Sequence, residues 1–209
     1  MNVKFIKSKK FLFIILAIAI LLVVISIIFS KKSYETINIG NNNLNKTLEE
    51  VEDYILNIKE YTATIEVTVN SNKNSNKYLI KQIHKEKNDE QEVLEPETIK
   101  GIKLTYKDSS LKVENSNLNL EKIYNNYPYI ESNIFWLNSF IEEYRNSEQR
   151  NITEKNEEIV MQIKRRDDKR IAVKELFLDK KTLKPTKLSI MDNSKNVMVY
   201  ILYNEIELK

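Results

Sequence analysis

The chain has no cysteine, and its 209 residues include only two glycines (Gly40, Gly101), three prolines (Pro96, Pro128, Pro185) and one histidine (His84). Without cysteine there is no disulfide, no thiolate chemistry and no cysteine-linked lipid. Two isolated glycines cannot form a phosphate-cradling loop or the nucleophile elbow of a hydrolase. A single histidine leaves histidine metal sites and Ser-His-Asp triads without a second candidate. Carboxylate pairs remain at Glu142/Glu143 and Asp167/Asp168. They have the composition of an acid–base pair, but fall where a solvated helix face and a charged turn are expected. The expectation is a non-enzyme with no cofactor and no metal.

What is present begins with FLFIILAIAILLVVISIIF, Phe11–Phe29, an uncharged apolar run. It is long enough to cross a hydrocarbon core of roughly 30 Å as a helix. A cleaved signal has an apolar region of only about 7–15 residues and a small-residue cleavage site. Here the run ends IIFSKK, so a retained anchor is expected. Lys4, Lys7, Lys9 and Lys10 precede the run and only Lys31 and Lys32 follow it closely, which keeps the N-terminus cytoplasmic. The expected order is a basic cytoplasmic tail (1–10), a transmembrane signal anchor (11–29), a polar linker (30–46) and an extracytoplasmic domain (47–209) in a single-pass cell-membrane protein. Six of the 33 basic residues flank the run, so beyond Lys32 there are 27 basic residues against 30 acidic ones, a balance of −3. That leaves no basic footprint for nucleic acid.

In the linker, INIGNNNLN is asparagine-rich and reads as a tether. About 16 flexible residues would give it an r.m.s. reach of roughly 20–25 Å. At Thr47 the texture changes. Thr47-Leu-Glu-Glu50 has capping-box spacing, and Leu48, Val51, Ile55 and Ile58 share one helical face, which predicts a helix over 48–59. YTATIEVTV then alternates Tyr61, Ala63, Ile65, Val67 and Val69 against polar residues, the pattern of an antiparallel strand with one solvated side. Strand texture continues over 78–84, 91–94, 102–106 and 111–113. A helical stripe follows at Ile130, Ile134, Leu137, Ile141 and Tyr144, widened by Phe140. Four more strands are expected over 159–164, 170–178, 186–191 and 197–203. Pro185 suits the first residue of a strand, because it lacks an N–H. Short connections throughout give α+β, with helices on one face of an antiparallel sheet of about nine strands, curved by its own twist.

The helix followed by YTATIEVTV, and the closing ELFLDKKTLKPTKLSIMDNSKNVMVYILYNEIEL, resemble the LolA/LolB-like superfamily of lipoprotein-sorting proteins. Pro96-Glu-Thr-Ile-Lys-Gly101 and Phe140-Ile-Glu-Glu-Tyr144 are similar to segments of GerS-type germination proteins of clostridial spore formers. The likeness runs over about residues 47–209. It implies a half-barrel whose concave face holds the helices. It also implies binding and activation of a cell-wall N-acetylmuramoyl-L-alanine amidase of the CwlD type in spore germination, at the cell or forespore membrane. The alternative it implies is a carrier for a lipid or a lipoprotein acyl chain. GerS-type proteins are lipoproteins; without a cysteine, the apolar run would stand in for the lipid.

Phe135, Trp136 and Phe140 form the candidate partner or ligand surface, since aromatic side chains dominate binding hot spots. Core packing is the competing reading of the same three residues.

Overall fold

The computed structural model describes residues 36–39, 44–71, 73–86, 88–127, 134–165 and 171–209. The expected anchor at 11–29 lies outside them. Among the described residues no helix is long and apolar enough to cross a membrane.

Part of the stretch read as a tether carries structure. β1 (Thr36–Ile39) and β2 (Leu44–Thr47) pair antiparallel, with Thr36 opposite Thr47. Ile37 and Ile39 alternate with polar residues there, a short period-two signal masked by the asparagines around it.

α1 (Leu48–Leu56) starts as its sequence dictates. Thr47 Oγ1 accepts the Glu50 N–H at 3.2 Å, and Glu50 Oε2 accepts the Thr47 N–H at 2.6 Å. Two donors that the helix cannot satisfy itself are thus paired. Val51 and Ile55 are its buried residues. The helix stops short of Lys59 because Asn57 ends it, sending its side-chain Nδ2–H to the Asp53 carbonyl at 2.8 Å. The Lys59 and Glu60 N–H groups then bond the Lys209 carbonyl, which leads the chain into the sheet.

That sheet has eleven antiparallel strands rather than nine. They are β3 (Tyr61–Asn70), β4 (Ser75–Lys85), β5 (Asn88–Glu95), β6 (Ile102–Lys107), β7 (Ser110–Asn115), β8 (Leu120–Tyr124), β9 (Arg150–Lys155), β10 (Glu158–Lys164), β11 (Val173–Asp179), β12 (Pro185–Met191) and β13 (Val197–Leu208). Their spatial order is β8-β7-β6-β5-β4-β3-β13-β12-β11-β10-β9, so among the described residues β8 and β9 are the edges. These two edges are the strands not anticipated. Every residue of β8 is exposed, and RNITEK of β9 has one strongly apolar residue, so neither shows a buried alternation. Gly101 supports the turn into β6, with φ of +78° and no room for a Cβ, which would meet Ser116 Oγ at 2.8 Å.

α2 (Leu137–Asn146) is the second helix. It and α1 bury their apolar stripes with Tyr61, Ile65, Met161, Leu176, Leu188 and Ile201 in one continuous core. The outer face is solvated, and Phe177 there is covered by Lys187, whose Nζ lies 3.5 Å from the ring centroid.

A bulge keeps the core face of β13 in phase. On β13, Val199, Ile201 and Tyr203 point inward, then Asn204 bulges out, and Ile206 returns to the core opposite Ala63. The bulge shifts the inward-facing positions from odd to even numbers, which is why Ile206 and not Glu205 is buried. The Pro185 reading holds: it opens β12, opposite Leu178. Before it, Asp179 Oδ1 accepts the Thr182 N–H and hydroxyl, both at 2.7 Å, and the Lys181 N–H at 3.1 Å. Leu183 takes a φ of +57°, strained for a leucine, and its side chain is buried in the core.

Candidate partner-binding site

The three aromatic residues singled out from the sequence lie where α2 begins. Trp136 is the N-cap residue, in extended conformation, and offers no side-chain cap. The sheet supplies one instead: Tyr61 Oη, from β3, accepts the Leu137 N–H at 3.2 Å. The Tyr61 ring lies 6.4 Å from the Trp136 ring and 5.2 Å from that of His84. Trp136 is 4% exposed and Phe140 1%, so both are core residues; Phe135 is partly buried against the same core. Phe135 contributes its backbone too, its carbonyl accepting from Gln82 Nε2 at 3.2 Å.

Beneath this segment the inner face of β4 and β5 turns polar. Gln82 donates to Gln91 Oε1 at 3.3 Å, and the His84 imidazole meets the Asp89 carboxylate. His84 is therefore part of a largely buried polar row, not a surface position. Gln82 Oε1 and the Trp136 indole N–H are buried there without a hydrogen-bond partner among the described residues.

The carboxylate candidates resolve into ion pairs. Glu142 pairs with Arg145 on its own helix. Glu143 pairs with Arg165 at 3.4 Å and with Lys174, which is 3% exposed and ties α2 to β11. Asp167 and Asp168 lie outside the described residues. Burial raises the Tyr144 and Tyr203 phenols above their ordinary range. Among the described residues no cluster of three His, Asp or Glu side chains could hold a metal.

One feature escaped the sequence reading altogether. Leu118, Leu120, Ile123, Tyr124 and Tyr127 are exposed together along and beside β8. The signal was present in LNLEKIY, but a strand buried on neither face lacks the contrast that marks one.

Comparison with known structures gives a consistent fold. One similar structure is the GerS lipoprotein in complex with the CwlD amidase from Clostridioides difficile (20% identity, 77% of this chain, 93% of that one, TM-score 0.50). A LolA superfamily protein from Nitrosomonas europaea is similar at 10% identity (78% of this chain, 94% of that one, TM-score 0.40). The Pseudomonas aeruginosa MucA/MucB complex is similar at 11% identity (77% of this chain, 56% of that one, TM-score 0.44). No curated protein matches the sequence. The GerS-type resemblance seen in the sequence is shared at the level of the fold. A family model matches far more of the chain than any local motif, from residue 9 to residue 208, and by it this chain belongs to the sporulation protein YdcC-like family.

Proposed function

We propose that this chain is a non-catalytic, membrane-anchored binding protein that holds a cortex-processing cell-wall amidase in its active form during sporulation or germination. The observation that carries the reading is the likeness, over 77% of the chain, to GerS in complex with CwlD. Membership of a sporulation family supports the setting. In this reading residues 11–29 hold the domain at the outer side of the membrane, where a cell-wall enzyme works. The domain contributes no reacting group. It raises amidase activity by binding the active conformation more tightly than the inactive one, the only way a ligand can shift such an equilibrium.

The inner sheet face supports binding by the outside of the domain over carriage within it. Val51, Ile55, Leu137 and Phe140 already occupy the apolar face that an acyl chain would need. Phe135, Trp136 and Phe140 enter this proposal as the props that fix the segment before α2. Only Phe135 among them is more than marginally exposed.

The test is reconstitution of the full-length chain in detergent with a CwlD-type amidase and cortex peptidoglycan. Complex formation with increased amidase turnover is expected. Unchanged turnover with no complex overturns the reading. Native mass spectrometry of the same preparation finds a clean mass if the protein is a binder, and a retained lipid if it is a carrier.

A further inference from the structure

The two edges of the sheet are treated differently. β9 is half-buried at its centre and lies beside α1. β8 is exposed throughout. An exposed edge strand offers unpaired backbone N–H and C=O groups, and folded proteins usually blunt it with charge, proline or a covering element. β8 carries only Glu121 and Lys122 for that purpose and leaves apolar side chains open: Leu120 is 62% exposed and Ile123 53%, with Leu118, Tyr124 and Tyr127 beside them.

The surroundings are electrically quiet, in a chain that is 30% charged. Between Asn115 and Tyr127 the only charged residues are Glu121 and Lys122, and five of the others are asparagines. Glu121 is already paired with Lys112 at 2.9 Å. Lys122 sits 4.9 Å from the centroid of the Tyr124 ring.

Period two places Leu120 and Tyr124 on one face of the strand and Ile123 on the other. A lipid surface or a flat partner face would cover one of these sets and leave the other wet. Only something that meets the strand edge-on, with side chains above and below, covers both. With Lys112 already shared by Glu114 and Glu121, and Lys122 the one cation on the strand, the patch does not suit a polyanion.

We infer that β8 is the docking strand for the amidase partner: an uncharged, apolar edge strand of that protein adds to the sheet beside Leu120–Tyr124. This rests on the amidase-binding reading above. Main-chain hydrogen bonds supply affinity in such an addition, and alternate side chains supply specificity. A second copy of this chain fits less well, because full antiparallel overlap of β8 with itself sets Lys122 against Lys122.

The experiment uses the full-length chain in detergent, with a CwlD-type amidase as the probe. The wild type is compared with Leu120→Asp and Ile123→Asp, and with Lys155→Glu on the opposite edge as control. Because both β8 side chains are exposed, melting temperature and circular dichroism should match the wild type. Binding should weaken about tenfold or more in the β8 variants and stay unchanged in the control. Hydrogen exchange of the wild type should show amides 120–124 slowed only when the amidase is present. Wild-type binding with β8 variants unaffected overturns this inference and leaves the amidase reading standing. No binding by the wild type overturns both. Slowed β8 exchange without amidase, together with a doubled mass, assigns the edge to self-association and overturns the inference as well.

Discussion

From β9 through β13 to β3 the inner face is closed. Leu176, Leu178, Ile159 and Ile201 have no exposure, and α1 and α2 lie over them. From β6 to β8 the same sheet carries half-buried Leu104, Tyr106 and Val113, then open Leu120 and Tyr124. Between the two, on β4 and β5, stands the polar row of Gln82, Gln91, His84 and Asp89. One hydrogen-bonded ladder thus spans a wing stabilised by side-chain burial and a wing held mainly by backbone pairing and surface ion pairs. The lesson is that sheet continuity does not imply uniform stability, and that a surface kept free of packing is available for something else.

Four substitutions sharpen or break this contrast. The largest effect belongs to Phe140→Ala. It empties a site that is 1% exposed in the closed wing and should cost about 3–5 kcal/mol in urea unfolding. A loss below 1 kcal/mol would mean that α2 is not integral to the core. Lys174→Ala comes next. It leaves Glu143 with Arg165 alone, and should cost about 1–3 kcal/mol, less than a fully buried pair because Glu143 keeps some solvent.

Asp179→Asn is smaller, about 1 kcal/mol at neutral pH. Burial works against the Asp179 charge, but hydrogen bonds from the Thr182 side chain, the Thr182 backbone and the Lys181 backbone outweigh it, so the carboxyl sits below its ordinary 3.8. A depressed carboxyl stabilises the fold above the unfolded-state value and loses that contribution as pH falls through the folded one. Wild type and Asp179→Asn should therefore converge in melting temperature below about pH 4, and differ most near neutrality. The smallest effect is Ile123→Ser on β8, within about 0.5 kcal/mol by the same urea assay. A cost comparable to that of Phe140→Ala would show the open wing to be packed after all.

The closed wing was the legible part. Thr47 with Glu50, the alternation from Tyr61 to Val69 and the placement of Pro185 are local rules, and the structure follows each. The edges β8 and β9 were not legible, because an unburied strand leaves no alternation to read. The hairpin β1–β2 hid behind asparagines. Among the aromatic residues the ambiguity was real. A stripe holding Trp136 and Phe140 looks the same in sequence whether it faces a core or a partner; in the structure both side chains are buried, and the Tyr61 hydroxyl caps α2 from 76 positions away. The exposed patch at β8 needed the topology first: nothing in LNLEKIY says that its outer side meets no further strand among the described residues.

The seam between β3 and β13 has a consequence for how the protein is made. It joins the first strand of the main sheet to its last, and Asn70 reaches the Val197 carbonyl across 127 residues of chain. Hairpins such as β3–β4 or β11–β12 can zip as soon as they emerge from the ribosome, whereas long-range pairings are slow because loop closure comes first. Neither wing gains its central neighbour until Val197–Leu208 has appeared. A polypeptide arranged this way stays loose until Val197–Leu208 has been made. Loss of that last strand during synthesis would leave two unjoined sheets with raw edges, the kind of product that quality-control proteases clear.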